Sequence, residues 1–254
     1  MDRFVEITAL QDESSMTGQF SRIANEFSSN WIIEKEDEQF EILESEYLCS
    51  FLNGKHTDPF IDGSPFQHKK GIWYVSDGGV DITFGTEAYS AALFIRAIKN
   101  VKTGEHILGP NRVFMTLFQN TGHIQYGCAQ IKFLRRPDPI QVQLIAVPRV
   151  SLNIEYSSKN LDERLKYVFR PYRFVRSDIE DFPEKYLSYL YLEKVEKSNL
   201  EFNREGKIYD KYLIHFDKGM NAHHIDQVWN VSSRSLRMAT LLGYMYKRQL
   251  NQIS

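Results

Sequence analysis

Apolar runs separated by short polar breaks dominate the chain between residues 71 and 98. Residues 72–75 and 80–84 are rich in β-branched and aromatic side chains, and residues 76–79 between them tolerate positive φ angles. This pattern predicts a β-hairpin. Residues 91–98 are almost wholly apolar and predict a central strand buried on both faces, although a run of this length also fits a buried helical segment.

Three charged residues interrupt apolar patterns and are therefore candidate site residues. Arg96 lies inside the 91–98 run, and because a buried guanidinium needs an anionic partner, it is either paired structurally or placed in a site. Residues 40–47 predict another strand, in which period two puts Glu44 and Glu46 on the face of Ile42. Two carboxylates over a core would have to be paired or functional, but spacing alone favours the solvent face of an edge strand.

The remaining pattern mixes helices and strands. Helices are predicted at residues 20–27, from Pro110 onward, at 182–197 and at 233–249, and strands at 31–33, 124–133, 140–147 and 207–216. Residues 53–70 contain too much glycine, proline and aspartate for a regular element and predict a covering or functional loop.

Composition and charge narrow the class of protein. With 254 residues, 42% hydrophobic and 25% charged, the chain has the composition of an ordinary globular protein. No apolar run approaches the length of a membrane span and the N-terminus is unlike a signal peptide, so no membrane partner and a cytoplasmic location are expected. Cys49 and Cys128 form neither a disulfide framework nor a zinc motif.

The net charge of −2 hides an uneven distribution. Residues 1–60 carry four basic and thirteen acidic side chains, whereas residues 96–176 carry fourteen basic and five acidic ones. Such a basic middle is either a nucleic-acid-binding face or the complement of the acidic start within one domain.

Several common chemistries have no motif in this sequence. It has no P-loop, dinucleotide-binding glycine motif, serine-hydrolase elbow or HExxH zinc motif. His215, His223 and His224 lack an accompanying carboxylate in a usual ligand set, so neither a metal site nor a cofactor is expected.

The order of short motifs is more informative than any one of them. It resembles the order found in the alkyladenine (3-methyladenine) DNA glycosylase family over roughly residues 20–176. The matching segments are ILESE at 42–46, DPFID at 58–62, the hairpin at 73–84, LFIRAI at 93–98, Gly-Pro at 109–110, Pro-Arg-Val at 148–150 and RPYRFV at 170–175.

The resemblance implies a fold, a reaction and a set of site residues. The implied fold is α+β, a single domain with a curved, largely antiparallel sheet flanked by helices, in residues 1–176. A C-terminal helical extension at 177–254 lies outside the resemblance and is expected to pack on the same domain. The implied reaction is excision of alkylated purines from DNA after base flipping. Glu46 matches the glutamate that activates water and Arg96 the arginine that holds it, while Trp73 and Tyr74 match the residues that line the base pocket.

Other residues follow from the same alignment. Glu44 and Asp62 join the substrate-binding set, with Asp62 at the position of the family's pocket histidine; a different loop alignment gives that position to His56 or His68. Gly78 falls where the family has a tyrosine wedge. The uneven charge distribution, rather than the alignment, predicts an open basic face that contacts DNA, formed by Arg112, Arg135, Arg136, Arg149, Arg170, Arg173 and Arg176.

Two alternatives to a DNA glycosylase remain open on the sequence. One is a non-catalytic relative that binds nucleic acid or another protein, and the other is a hydrolase of free nucleosides or another small N-glycoside. The mild net charge suits the second alternative.

Overall fold

The architecture comes from a computed structural model. It describes residues 2–13, 15–76, 78–119, 131–149, 152, 154, 161–182, 184–199 and 207–253. The chain forms two compact units, one of Met1–Arg149 with Arg170–Phe182 and the other of Val150–Phe169 with Pro183–Ser254. The first contains a curled antiparallel sheet with helices and the second contains helices, so the predicted α+β fold class is confirmed.

The described strands all belong to one antiparallel sheet in the first unit. The strands are β1 (Trp31–Lys35), β2 (Glu38–Phe51), β3 (Lys70–Ser76), β4 (Gly79–Phe84), β5 (Tyr89–Asn100), β6 (His106–Leu108), β7 (Ile131–Arg135), β8 (Leu144–Val147) and β9 (Arg173–Arg176). The main path of the sheet runs β3-β4-β5-β2-β1-β7, with β6 paired to β5, β9 paired to β2, and β8 paired to β9.

Three helices accompany this sheet: α1 (Asp2–Ile7), α2 (Met16–Asn30) and α3 (Pro110–Phe118). In α2, apolar residues recur at helical spacing, and Phe20, Ile23 and Phe27 are almost completely buried. Phe20 stacks on Tyr47 of β2 with ring centroids 5.2 Å apart. The predicted amphipathic helix is therefore confirmed, and it covers the face of β2 that carries Tyr47.

The strand β2 lies inside the sheet, between β5 and β1, and it also pairs with β9. The edge-strand interpretation of Glu44 and Glu46 is therefore wrong, since both side chains are buried, at 0% and 2% exposure. Alternation along β2 was visible in the sequence, but its central position depends on pairings made by distant strands.

The second unit contains α4 (Leu161–Val168), α5 (Lys185–Lys194), α6 (Lys207–Asn221), α7 (Ile225–Trp229) and α8 (Arg234–Ile253). The strand predicted at 207–216 is wrong, because this segment forms most of α6. Tyr209, Tyr212 and Phe216 lie on one buried helical stripe, whereas Ile208 and Ile214 are exposed. None of the helices in the described part of the chain is both long and apolar enough to cross a bilayer.

Candidate active site

A row of side chains crosses five neighbouring strands on one face of the sheet, in the order β3, β4, β5, β2 and β9. Tyr74 pairs with Asp81, Asp81 with Phe94, Phe94 with Glu46, and Glu46 with Arg173. Because directly opposed residues of antiparallel strands project to the same face, these five side chains share one surface. This face is opposite to the one that Tyr47 presents to α2.

Four charged residues form a buried cluster in this row and beside it. The Glu44 Oε1 atom accepts hydrogen bonds from Arg96 Nε at 2.6 Å and from Arg173 Nε at 2.7 Å. Arg96 Nη1 also lies 3.3 Å from Glu46 Oε1. All four side chains are at most 3% exposed, so two carboxylates and two guanidiniums compensate one another in a dry environment.

A local irregularity in strand pairing brings these groups together. The register of β2 against β5 shifts at Glu44, which pairs with Ala97, and it returns to the regular register at Ile42 and Ser45. Such irregularities bend a strand and redirect its side chains. Both arginines donate to Glu44 Oε1. Within the described residues, the other carboxylate oxygen, Oε2, has no hydrogen-bond partner.

Asp81 adds a third carboxyl group to the same face. It is 3% exposed and accepts a hydrogen bond from Ser76 Oγ at 2.8 Å. The pKa of Asp81 is raised to about 7, mainly by burial and in part by the negative charges of Asp62 and Glu46, while the Ser76 hydrogen bond opposes the shift. Asp81 is thus largely protonated below neutral pH, unlike an ordinary aspartate.

This elevated pKa predicts a pH-dependent contribution to stability. Folded Asp81 keeps its proton between about pH 4 and 7, where an unfolded aspartate has lost it, so its contribution falls as pH rises through that range. The free energy of unfolding of Asp81→Asn minus that of wild type should therefore increase from pH 4 to pH 7. Each pKa unit corresponds to about 1.4 kcal/mol. Urea titrations at several pH values measure this difference, and a flat difference would contradict the elevated pKa.

Tyr74 and Asp62 lie together at the exposed side of this row. The Tyr74 hydroxyl donates a hydrogen bond to Asp62 Oδ2 at 3.3 Å, and Asp62 is exposed. Trp73 projects to the other face, because it pairs with Ile82, and its indole donates a hydrogen bond to the Ile131 carbonyl at 3.2 Å. The structure therefore brings Tyr74 and Asp62 towards Glu46 but not Trp73.

The two histidines considered as alternatives to Asp62 have other contacts. His56 is buried against Tyr172, whose ring packs on Phe20 of α2, so His56 lies on the opposite side of β2 from Glu46. His68 Nδ1 donates to the Thr86 carbonyl at 3.0 Å. Neither histidine joins the charged cluster.

Gly78, at the position of the family's tyrosine wedge, has a backbone reason to be glycine. Its φ angle is 83°, in the left-handed region that residues with a Cβ atom rarely occupy. A Cβ atom there would also meet the amide oxygen of Asn111. The hairpin thus presents backbone rather than a side chain at this point.

No protein-family model matches the chain, and a comparison with curated proteins found no match.

The arginines predicted to contact DNA have different environments. Arg112 and Arg135 are exposed, and Arg136 and Arg170 are half-buried. The other three are buried in ion pairs: Arg149 with Asp58, Arg173 with Glu44, and Arg176 with Glu41 and Asp178. These three do not lie on an open basic face; nucleic-acid contacts by the others stay a prediction.

The same ion pairs account for part of the uneven charge distribution. Acidic residues of the first sixty positions pair with basic residues of positions 96–176 within the sheet unit. The pairs are Glu34 with Lys132, Glu41 with Lys99, Arg136 and Arg176, Glu44 with Arg96 and Arg173, Glu46 with Arg96, and Asp58 with Arg149. This complementarity is the alternative that sequence reasoning left open.

Sequence reasoning missed two members of the buried face. Asp81 is a lone carboxylate inside the apolar segment 80–84, which is the same kind of anomaly that drew attention to Arg96. Arg173 was assigned to DNA contacts, although it also interrupts a strand with apolar neighbours. Among the residues that the structure describes, no group of three or more histidine, cysteine, aspartate or glutamate side chains is arranged to hold a metal ion.

Proposed function

We propose that the sheet unit hydrolyses the N-glycosidic bond of a modified purine nucleotide in DNA, with Glu46 as the general base. The observation that carries this proposal is the placement of Glu46 beside Arg96, 3.3 Å apart, on the face that also bears Tyr74, Asp62 and Asp81. The resemblance to alkyladenine DNA glycosylases implies the same roles for Glu46 and Arg96.

The reaction needs an activated water molecule. In the proposed step, the water oxygen attacks the sugar C1′ atom, the Glu46 carboxylate takes a proton from that water, and the C1′–N bond breaks with its electron pair passing to the base. Arg96 holds the Glu46 carboxylate in position and balances its charge. A positioned general base typically contributes about 10²- to 10⁴-fold to the rate.

The departing base also needs a proton, and Asp81 is the group that we assign to supply it. Its pKa of about 7 keeps it protonated where Glu46 is required as a carboxylate. Asp81 and Glu46 share the row across β4, β5 and β2, so their backbones are on the order of 10 Å apart, about two strand spacings. In inverting glycoside hydrolases, which attack the sugar directly with water, the acid and base carboxyl groups lie about 6.5–9.5 Å apart. The backbone distance between Asp81 and Glu46 is of similar size.

The target base has to leave the DNA stack to reach this face. Tyr74, half-exposed at the row's outer side, offers a ring on which the flipped base stacks. Gly78 provides no side chain to fill the gap in the duplex. We therefore expect activity to favour single-stranded or mismatched sites, where less unstacking energy is required.

One observation favours a different function. Glu46 and Arg96 are each 2% exposed, as expected of an ion pair that only stabilises the fold. The second candidate is therefore a non-catalytic relative, in which the cluster of Glu44, Glu46, Arg96 and Arg173 is structural.

A substrate comparison tests the proposal. Wild-type protein is incubated with single-stranded and duplex DNA that contain 3-methyladenine or hypoxanthine, and in parallel with the free nucleosides. We expect base release from DNA, faster for the single-stranded form. Release from nucleosides alone would assign the chemistry to small N-glycosides, and no release from any substrate would favour the non-catalytic candidate.

A further inference from the structure

A cleft that several charged and hydroxyl-bearing residues line lies on the α2 side of the sheet, away from the charged cluster. It has a volume of about 500 Å³ and is lined by residues from three separate segments of the sheet unit. The lining residues are Glu13, Ser15, Met16, Thr17, Lys55, His56, Arg170 and Tyr172. A cleft of this size is in the range of small-molecule sites, about 300–1,000 Å³.

A chain of hydrogen bonds fixes one wall of the cleft. The Cys49 carbonyl can only accept, so His56 Nδ1 donates to it at 3.0 Å. Burial lowers the pKa of His56, and the nearby Arg170 charge lowers it further, so the neutral ring accepts at Nε2 from the Tyr172 hydroxyl, 2.9 Å away. Arg170 Nη1 then donates to the Tyr172 oxygen at 3.3 Å, and its guanidinium lies 5.9 Å from the Tyr172 ring centre.

These hydrogen bonds orient the Arg170 side chain. The buried His56 and Tyr172 hold its guanidinium against the Tyr172 ring at the cleft wall, so the cation is in position before any ligand binds. Preorganised charge loses less entropy on binding than a flexible side chain does.

Lys55, in another of the three segments that line the cleft, provides a second positive charge. Its side chain is exposed, and within the described ranges its ammonium group makes no ion pair. The loop that carries it is held by Glu13, whose Oε2 atom accepts hydrogen bonds from the backbone N–H groups of Lys55 and His56. Gly54 permits this contact, because a Cβ atom there would overlap the Glu13 carboxylate.

The Glu13 carboxylate is therefore directed at the loop backbone, while the two cations face a common space with the hydroxyl-bearing residues Ser15 and Thr17. A phosphate monoester carries close to two negative charges and three terminal oxygens. It can thus accept from an ammonium, a guanidinium and hydroxyl groups at the same time. Met16 and Tyr172 line another part of the same cleft.

We propose that this cleft binds a phosphate monoester of nucleotide size, through Lys55 and Arg170. The site lies on the opposite face of β2 from Glu46, and it is independent of the proposed hydrolysis. Binding here requires no contribution from Glu46, Arg96 or Asp81.

Isothermal titration calorimetry of the full chain tests the proposal with three probes: inorganic phosphate, adenosine 5′-monophosphate and adenosine. We expect the monophosphate and phosphate to bind and adenosine not to bind. Lys55→Gln and Arg170→Gln should each weaken monophosphate binding about 10-fold or more, because each removes a charge-assisted hydrogen bond. Tyr172→Phe should weaken it less, since it removes only the hydroxyl that orients Arg170.

Lys102→Gln is the matched control, because Lys102 is an exposed lysine of the same unit outside the cleft. It should bind the monophosphate as wild type does.

The proposal is overturned if neither phosphate nor the monophosphate binds, if adenosine binds as tightly as the monophosphate, or if the Lys55 and Arg170 variants bind like wild type. Binding of a single-stranded oligonucleotide that depends on both cations, without binding of the monophosphate, would overturn it in favour of a DNA-backbone contact. This test measures binding of phosphate and of the monophosphate, whereas the test of the proposed function measures base release, so each can fail without the other.

Discussion

Replacing Glu44 by alanine is expected to lower the free energy of unfolding of the sheet unit by about 3–5 kcal/mol. Arg96 and Arg173 both donate to Glu44 Oε1, at 2.6 and 2.7 Å, and all three side chains are buried. Without the Glu44 carboxylate, the cluster contains two buried positive charges, those of Arg96 and Arg173, and only one negative charge, that of Glu46. The large cost arises from these buried charges rather than from the loss of packing volume.

The measurement is urea unfolding followed by tryptophan fluorescence in a Trp229→Phe background. Trp31 and Trp73 lie in the sheet unit and Trp229 in the helical unit, so this background reports on the sheet. Glu44→Gln keeps hydrogen-bond acceptors and should cost less than Glu44→Ala, which preserves a measurable transition if the alanine variant does not fold.

Glu34→Ala is the control for that experiment. Glu34 pairs with Lys132 at 3.3 Å across neighbouring strands of the same sheet, with side chains 27% and 51% exposed. An exposed pair of this kind contributes no more than about 1 kcal/mol. If Glu44→Ala and Glu34→Ala shift the urea midpoint equally, the buried cluster does not stabilise the sheet as described.

The sequence predicted those elements of the sheet whose pattern is local. The hairpin of β3 and β4, the apolar strand β5 and the amphipathic helix α2 follow from residue type and period, and all are present. The segment 207–216 was misassigned because its tyrosines and isoleucines also suit a strand. The helical spacing of Tyr209, Tyr212 and Phe216 was the better guide.

The local sequence pattern does not indicate which charged residues pair with one another in the buried cluster. Arg96 was recognised as needing an anion, but Glu44 is 52 positions away and Arg173 is 129 positions from Glu44. Arginines mixed with aromatics at 170–176 suit either phosphate contacts or burial, and nothing in that segment indicates that Arg173 and Arg176 pair with β2. Only the strand pairing, including the register shift at Glu44, determines which charges meet.

The cleft at Lys55 was missed for the same reason. Its residues come from positions 13–17, 55–56 and 170–172, and none of these segments carries a known anion-binding motif. His56 was considered only as a substitute for the pocket histidine of the resembling family. Its actual partner, Tyr172, lies 116 positions away.

Replacing Glu46 by glutamine is expected to slow base release by about 10²- to 10⁴-fold while the protein stays folded. The amide still accepts a hydrogen bond from Arg96, so the geometry of the pair is preserved, but it cannot take a proton from water. Glu41→Gln is the matched control, because Glu41 is also a buried, ion-paired glutamate of β2, paired with Arg136 at 2.9 Å and Arg176 at 2.8 Å, and it lies outside the cluster.

The most direct test of the catalytic assignment is the single-turnover rate of 3-methyladenine release from single-stranded DNA by wild type, Glu46→Gln and Glu41→Gln. Circular dichroism and urea midpoints establish first that all three proteins are folded. We predict a rate at least about 10²-fold lower for Glu46→Gln and a near wild-type rate for Glu41→Gln. Equal rates for wild type and Glu46→Gln would contradict the role of Glu46 as the general base.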